Sequence, residues 1–363
     1  MWYNSSSVKK LLLAVAVIIG SIFLWNYAKP EEVTKTIETI KKTVSKPQIT
    51  SQTSERTFEF VPYWSFTKNL VTNSDFSLIY FGVAADDNGI DTEEEGYKKL
   101  KSFVDKTPNA SERIIAVRML DKEVNAQVLK DTSLQEKIAS QAVSLAVKND
   151  FDGILLDYET SAFGFDSTTN AISDFYRLFS NKVKASNLLF YVSLYGDAYY
   201  RARPFDVKSI GEVSDKVLIM AYDFSKSRGN PGPNFPLLDN AEYGYDFGKM
   251  IDDFQQDVDN QKIVVIFGYF GYDWKIDKNG ESVASGVPIS TNEIVKEFVE
   301  QCEYDPCSLN RDPGTLEPSV RYGDDDGVEH MVWYEDAQSI EKKKEFLKEK
   351  GILETAAWAY SYY

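Results

Sequence analysis

From Thr57 onward, short apolar runs alternate with longer segments in which apolar residues recur at helical spacing. Phe58–Trp64, Phe76–Ala84, Arg113–Val117, Phe151–Thr160, Leu188–Leu194, Lys216–Tyr222, Lys262–Phe267 and Thr355–Trp358 read as strands. Leu134–Lys148 sets Leu134, Ile138, Ala142, Leu145 and Ala146 on one helical face, and Ala171–Lys184 and Gln338–Lys350 also read as helices. Eight strands separated by helices predict an α/β fold, a closed (β/α)8 barrel of the TIM type. An open doubly wound sheet is the alternative, but no G-x-G-x-x-G follows the first strand.

Two stretches fall outside this alternation. Between Trp274 and Trp333 the chain is too long for an ordinary loop. Thr291–Gln301 has helical spacing and Ser319–Tyr334 reads as a hairpin turning at Gly323–Gly327, so a small α+β insertion is predicted over about 275–332. Cys302 and Cys307 both fall within it and outside the cytoplasm could close a short disulfide loop. At the other end, Leu11–Trp25 is almost wholly apolar, follows Lys9-Lys10 and precedes Lys29. That length approaches the ~17–25 residues needed to span a bilayer. Residues 1–28 are therefore predicted to be a single-pass anchor, with Trp25 and Tyr27 at the interface and the rest of the chain extracytoplasmic. A cleaved signal peptide is the alternative, although Asn26-x-Ala28 is a poor cleavage site. Residues 29–56 read as a linker holding a short amphipathic helix over Val33–Val44 and a polar Ser/Thr/Gln tract. The barrel is assigned to residues 57–363.

Charge and composition narrow the chemistry. A formal charge of −16 argues against nucleic acid as a partner, because phosphate binding needs a basic surface, whereas a neutral sugar polymer is compatible. The chain has one histidine, His330, which argues against Ser-His-Asp, Cys-His and multi-histidine metal sites. No metal and no cofactor is expected. Carboxylates, tyrosines and tryptophans are the residues abundant enough to build a site.

The predicted strand at Phe151–Thr160 is closed by two carboxylates, Asp157 and Glu159. Residues two apart on a strand share a face, so both acids project to one side at the strand's end. In a parallel barrel that end is the mouth, where such folds keep their chemistry. Two carboxylates so close and partly desolvated raise the proton affinity of at least one, which suits a general acid.

The whole segment, Asp152-Gly153-x-x-x-Asp157-x-Glu159, resembles the D-G-x-D-x-D-x-E signature of family 18 glycoside hydrolases, the chitinase-like enzymes. It departs from that signature at Leu155, where an acid or amide is usual. Met220-Ala221-Tyr222-Asp223 is similar to the M-x-Y-D that ends the family's sixth strand. Gly271-Tyr272-Asp273-Trp274 and Val332-Trp333-Tyr334-Glu335-Asp336 look most like the bacterial branch that acts on peptidoglycan and spore cortex. The resemblance implies hydrolysis of β-linked N-acetylglucosamine polymers with retention, assisted by the substrate's own acetamide. Glu159 is then the proton donor, Asp157 the partner of the acetamido N–H and Tyr222 that of the acetamido oxygen. Asp223 contacts the sugar, Trp358 forms the floor, and Tyr63, Trp64, Tyr269 and Asp152 complete the expected binding set. The implied partner is an N-acetylated polysaccharide, a cell-wall glycan or chitin oligomer. Leucine neither donates nor accepts a hydrogen bond, so Leu155 is expected to slow turnover. A barrel that binds glycans without cleaving them is the alternative.

Overall fold

The structure, a computed structural model, describes residues 56–65, 76–160, 164–238 and 243–363. The predicted anchor, the linker up to Glu55 and the Val33–Val44 helix lie outside the described residues. Among the described residues no helix is long and apolar enough to cross a membrane.

Eight parallel strands close on themselves. They are β1 (Arg56–Pro62), β2 (Ser77–Asp86), β4 (Glu112–Met119), β5 (Gly153–Tyr158), β6 (Leu189–Tyr195), β7 (Lys216–Ala221), β8 (Ile263–Gly268) and β14 (Glu354–Trp358). Each pairs with the next in that order, and β14 pairs back onto β1. A two-residue strand, β3 (Gly89–Ile90), adds an antiparallel rung to β2. The helices include α1 (Glu95–Lys106), α2 (Lys122–Val128), α3 (Thr132–Lys148) and α4 (Asp166–Ala185). They continue with α5 (Val207–Val213), α6 (Phe247–Asp257), α7 (Thr291–Ile294) and α8 (Ala337–Glu349).

The period-2 alternation of the strands sorts their side chains into two cores. On β5, Ile154, Leu156 and Tyr158 face outward and pack with the helices, among Ile138, Phe175 and Phe179. Leu155 faces inward, into a barrel interior that also holds Phe58, Ile79, Ala116, Tyr191, Leu218 and Ile266. The same alternation carried two residues further sends Asp157 inward at the C-terminal mouth. Gly153 opens β5 because a Cβ there would stand 2.7 Å from the Leu189 carbonyl and 2.8 Å from Ile114 Cδ1. Glycine lets β5 sit between its two neighbours at the barrel's base.

After β8 the chain leaves the barrel through Tyr269 and builds a second, five-stranded antiparallel sheet. It contains β9 (Phe270–Ile276), β10 (Val287–Ser290), β11 (Cys307–Arg311), β12 (Pro318–Gly323) and β13 (Glu329–Tyr334), in the order β10-β9-β13-β12-β11. The sheet spans Phe270–Tyr334, a wider stretch than loop length marks in the sequence. Thr291–Gln301 is helical through Glu300, with Val295–Glu300 wound as a π-helix. Ile294, Phe298, Val320, Tyr322, Val332 and Tyr334 form the insertion's own small core, beside a Cys302–Cys307 disulfide.

The insertion is tied to the barrel by a buried ion triad. Lys343 on α8 lies between Glu317 and Glu335, and all three side chains are fully buried. Lys343 Nζ donates to Glu317 at 2.8 Å and also to Glu335. Burial pushes the Glu335 carboxyl well above the ordinary carboxylate range, and the two acids hold Lys343 charged although burial opposes it. Glu317 in turn accepts the backbone N–H groups of Asn234 at 2.5 Å and Phe235 at 2.8 Å, in the segment that follows β7.

Candidate active site

At the C-terminal mouth lies a cleft of about 490 Å³ whose walls include Asp157, Glu159, Tyr222, Asp223, Trp64 and Trp358. A second hollow of about 550 Å³ adjoins it across Phe270 and Trp358, walled by β10 and by Tyr362. The two share an aromatic partition, so the groove extends beyond a single chamber.

Asp157 is 5% exposed. Burial is the main cause that lifts its carboxyl from the usual range to about 7, followed by the charge of Glu159. A hydrogen bond from the Ser193 hydroxyl and the charge of Arg118 oppose the rise. Glu159 stands half-buried beside it, with Oε2 accepting from the Tyr195 hydroxyl at 2.9 Å. Burial and Glu159 push the Tyr195 phenol upward, so it stays a neutral donor.

The Glu159 backbone is fixed from both sides. Its N–H donates to the Met119 carbonyl at 2.9 Å, and its carbonyl accepts from Asn125 Nδ2 at 2.7 Å. Asn125 is buried and also bonds the Met119 carbonyl at 2.6 Å. It is set there by α2, whose start is capped by the Asp121 side chain accepting from Glu123 and Val124.

Tyr222 and Asp223 follow the end of β7. The Tyr222 phenol is raised well above its ordinary value by burial and then by Asp157, Asp223 and Glu159, which keeps it a hydrogen-bond donor. Asp223 has φ of +59°, a left-handed conformation that aspartate tolerates better than most residues. Asn234 Oδ1 accepts the Asp223 N–H at 2.9 Å, and the Tyr272 hydroxyl donates to Asp223 Oδ1 at 2.7 Å. Through Phe270 and Tyr272 the insertion reaches into the site. Gly268 makes room for that turn, since a Cβ there would meet Phe270 Cε1 at 2.6 Å and Tyr222 Cβ at 2.9 Å. Trp358, half-buried, stacks its ring 6.5 Å from that of Tyr222, and its carbonyl accepts the Tyr269 N–H at 2.7 Å.

Three expected residues do not line the cleft. Asp152 precedes β5 at the opposite end of the barrel, where it accepts the Arg113 N–H at 2.9 Å. Tyr63 packs against the helix-side core, with the Arg118 guanidinium 5.3 Å from its ring centroid. Tyr269 packs on Tyr363, ring centroids 4.2 Å apart. Ser193, Tyr195, Asn125 and Tyr272 are site residues that the sequence reading missed. Tyr191-x-Ser193-x-Tyr195 places hydroxyls on one strand face, and that alternation is the signal that marks two of them.

The family model described as Glycosyl hydrolases family 18 matches residues 57–362. A cortical fragment-lytic enzyme of Bacillus anthracis is 24% identical over 245 residues, covering 65% of this chain and 52% of that protein. The chain thus spans about half the length of this relative. Di-N-acetylchitobiase of Mus musculus is 22% identical over 260 residues, covering 66% of this chain and 69% of that protein. Among solved structures, the spore cortex-lytic enzyme SleL of Bacillus cereus superposes with a TM-score of 0.69 at 19% identity, covering 85% of this chain and 71% of that one. A class V chitinase from Nicotiana tobaccum gives 0.73 at 15% identity, covering 85% and 95%. With the match running from the first barrel strand almost to the last residue, the chain belongs to family 18 of the glycosyl hydrolases.

Proposed function

We propose that the cleft hydrolyses β-linked N-acetylglucosamine-containing glycans with retention, the substrate's acetamido group serving as the nucleophile. The observation that carries this reading is the pair of carboxylates at the mouth: Asp157, buried and hydrogen-bonded by Ser193, and Glu159 beside it on the cleft wall. Glu159 donates a proton to the glycosidic oxygen as the C1–O bond breaks, and the leaving sugar departs with a hydroxyl. The acetamido oxygen attacks C1 from the opposite face, giving an oxazolinium ion. Asp157 accepts the acetamido N–H and, in its ionised form, offsets the positive charge. Water then attacks C1 and gives its proton to the Glu159 carboxylate, which restores both the acetamide and the acid. Tyr222 donates to the acetamido oxygen, Asp223 contacts the sugar, and Trp358 is the floor beneath it.

The adjoining hollow favours a polymer over a single sugar, and the likeness to cortex-lytic enzymes favours peptidoglycan over chitin. Leu11–Trp25 supports a membrane-anchored, extracytoplasmic enzyme. A glycan-binding barrel without turnover is the second reading, favoured by the apolar Leu155 beneath Asp157. Proton NMR of the first product tests the mechanism. The β-anomer appears first, and a glycan de-N-acetylated at the cleaved sugar is not turned over. Prompt α-anomer, or equal turnover of the free amine, refutes it.

A further inference from the structure

The environment of Asp157 is unusual in where its polar support comes from. Directly below it on the same face of β5 is Leu155, fully buried in the apolar barrel interior. The tyrosine beside Leu155 in register is Tyr191, whose hydroxyl is directed to the Glu112 carboxylate at 3.3 Å. On the other side, Arg118 of β4 stands opposite Asp157 in register, but its guanidinium is paired with Glu94 and lies 5.2 Å from the Phe81 ring centroid. Arg118 contributes charge to Asp157 without a hydrogen bond.

The remaining neighbour is β6. The pairing Leu155↔Tyr191 and Leu156↔Val192, carried one residue on, sets Ser193 beside Asp157. Ser193 is 3% exposed and donates its hydroxyl to Asp157 Oδ1. Among the described residues it is the side chain that hydrogen-bonds this carboxylate. Its neighbour two residues on, Tyr195, does the same for Glu159. One face of one strand therefore holds both acids, one hydroxyl each.

We propose that Ser193 is the positioning residue of Asp157, supplying from β6 the polar contact that β5 lacks at Leu155. The proposal rests on the glycosidase reading for its kinetic consequence, not for the contact itself. A serine anchored in a central barrel strand has little freedom, and an apolar floor offers no second partner. Asp157 accordingly works from a single orientation, aimed at the mouth, throughout the cycle.

The experiment uses the full chain and Ser193→Ala, Ser193→Thr, Leu155→Asn and the Ser193→Ala/Leu155→Asn pair, with thermal unfolding of each. Losing the hydroxyl bond to the Asp157 carboxyl lowers kcat about tenfold to a hundredfold while KM moves less than about threefold. Ser193→Thr, which keeps the hydroxyl, retains most of the rate. The double variant recovers at least about threefold over Ser193→Ala, because an amide at 155 offers a new donor from below. Independently of turnover, carboxyl-carbon NMR titration of Asp157, assigned with Asp157→Asn, has its midpoint moved upward in Ser193→Ala, since a bond favouring the ionised form is gone. An unchanged midpoint together with unchanged kcat overturns the proposal, as does Ser193→Thr behaving like Ser193→Ala. A wild-type chain without turnover sinks the glycosidase reading alone, and the titration still decides the role of Ser193. If Leu155→Asn does not fold, Ser193→Thr and the titration carry the decision.

Discussion

Replacing Asp157 by asparagine tests the buried carboxylate without disturbing its shape. The folded protein holds the Asp157 proton up to about 7, whereas the unfolded chain releases it near 3.8. Below both values wild type and variant carry the same charge at this position, and their stabilities run parallel. As pH rises from about 4 to about 7 the unfolded aspartate ionises while the folded one does not, so the native state binds more protons and wild-type stability falls. Above about 7 the decline is complete. At about 1.36 kcal/mol per pH unit, the ceiling on that decline is about 4 kcal/mol. Asparagine has no charge to bury and shows no such slope. The asparagine side-chain oxygen still accepts from Ser193, so packing and hydrogen bonding are conserved. Urea unfolding of both proteins at intervals from pH 4 to pH 8.5 gives the difference directly. Asp157→Asn becomes progressively more stable than wild type, by roughly 2–4 kcal/mol at the alkaline end, while losing activity. Part of the effect is the charge of Glu159, so the gap narrows when both proteins also carry Glu159→Gln. A gap independent of pH, or one favouring wild type at pH 8, refutes the reasoning.

Lys343→Met leaves Glu317 and Glu335 buried without their cation and costs about 3–5 kcal/mol in denaturant unfolding; a loss below about 1 kcal/mol would remove the triad as the tie between insertion and barrel. Asn125→Ala leaves the Glu159 carbonyl without its donor and the Met119 carbonyl with the Glu159 N–H alone, so about 1–3 kcal/mol of stability is lost and the catalytic rate falls with it. Full activity in a folded Asn125→Ala protein would show that the Glu159 backbone needs no such clamp.

The barrel was legible because its strands are buried on both faces and read as unbroken apolar runs between helical stretches. The same logic put Asp157 and Glu159 on one face, since an i, i+2 relation needs no knowledge of the neighbours. Helix α4 begins at Asp166, five residues before its apolar spacing starts at Ala171, because its first turn is polar. Asp152 was drawn into the expected site by being part of one motif with Asp157. Five strand residues at about 3.3 Å each set the two about 16 Å apart, at opposite ends of the barrel. The alternation Tyr191-x-Ser193-x-Tyr195 puts hydroxyls on one strand face, but which acids Ser193 and Tyr195 bond follows only from the strand order, with β6 beside β5. Asn125 was hidden for a related reason. Its task is to bond main-chain carbonyls on β4 and after β5, and no side-chain pattern announces that. Tyr272 joined the site because β9 leaves the barrel immediately after β8, a path that aromatic content alone does not reveal.

In the proposed reaction everything depends on Glu159 delivering a proton to a glycosidic oxygen. Release of reducing ends from purified peptidoglycan and from chitin oligomers, by wild type and Glu159→Gln at equal concentration with glycan binding measured on both, tests it most directly. Both proteins are expected to bind and the wild type to cleave, with the rate in Glu159→Gln reduced at least about a hundredfold. Equal cleavage by the two proteins, or binding by both with no cleavage by either, would contradict it.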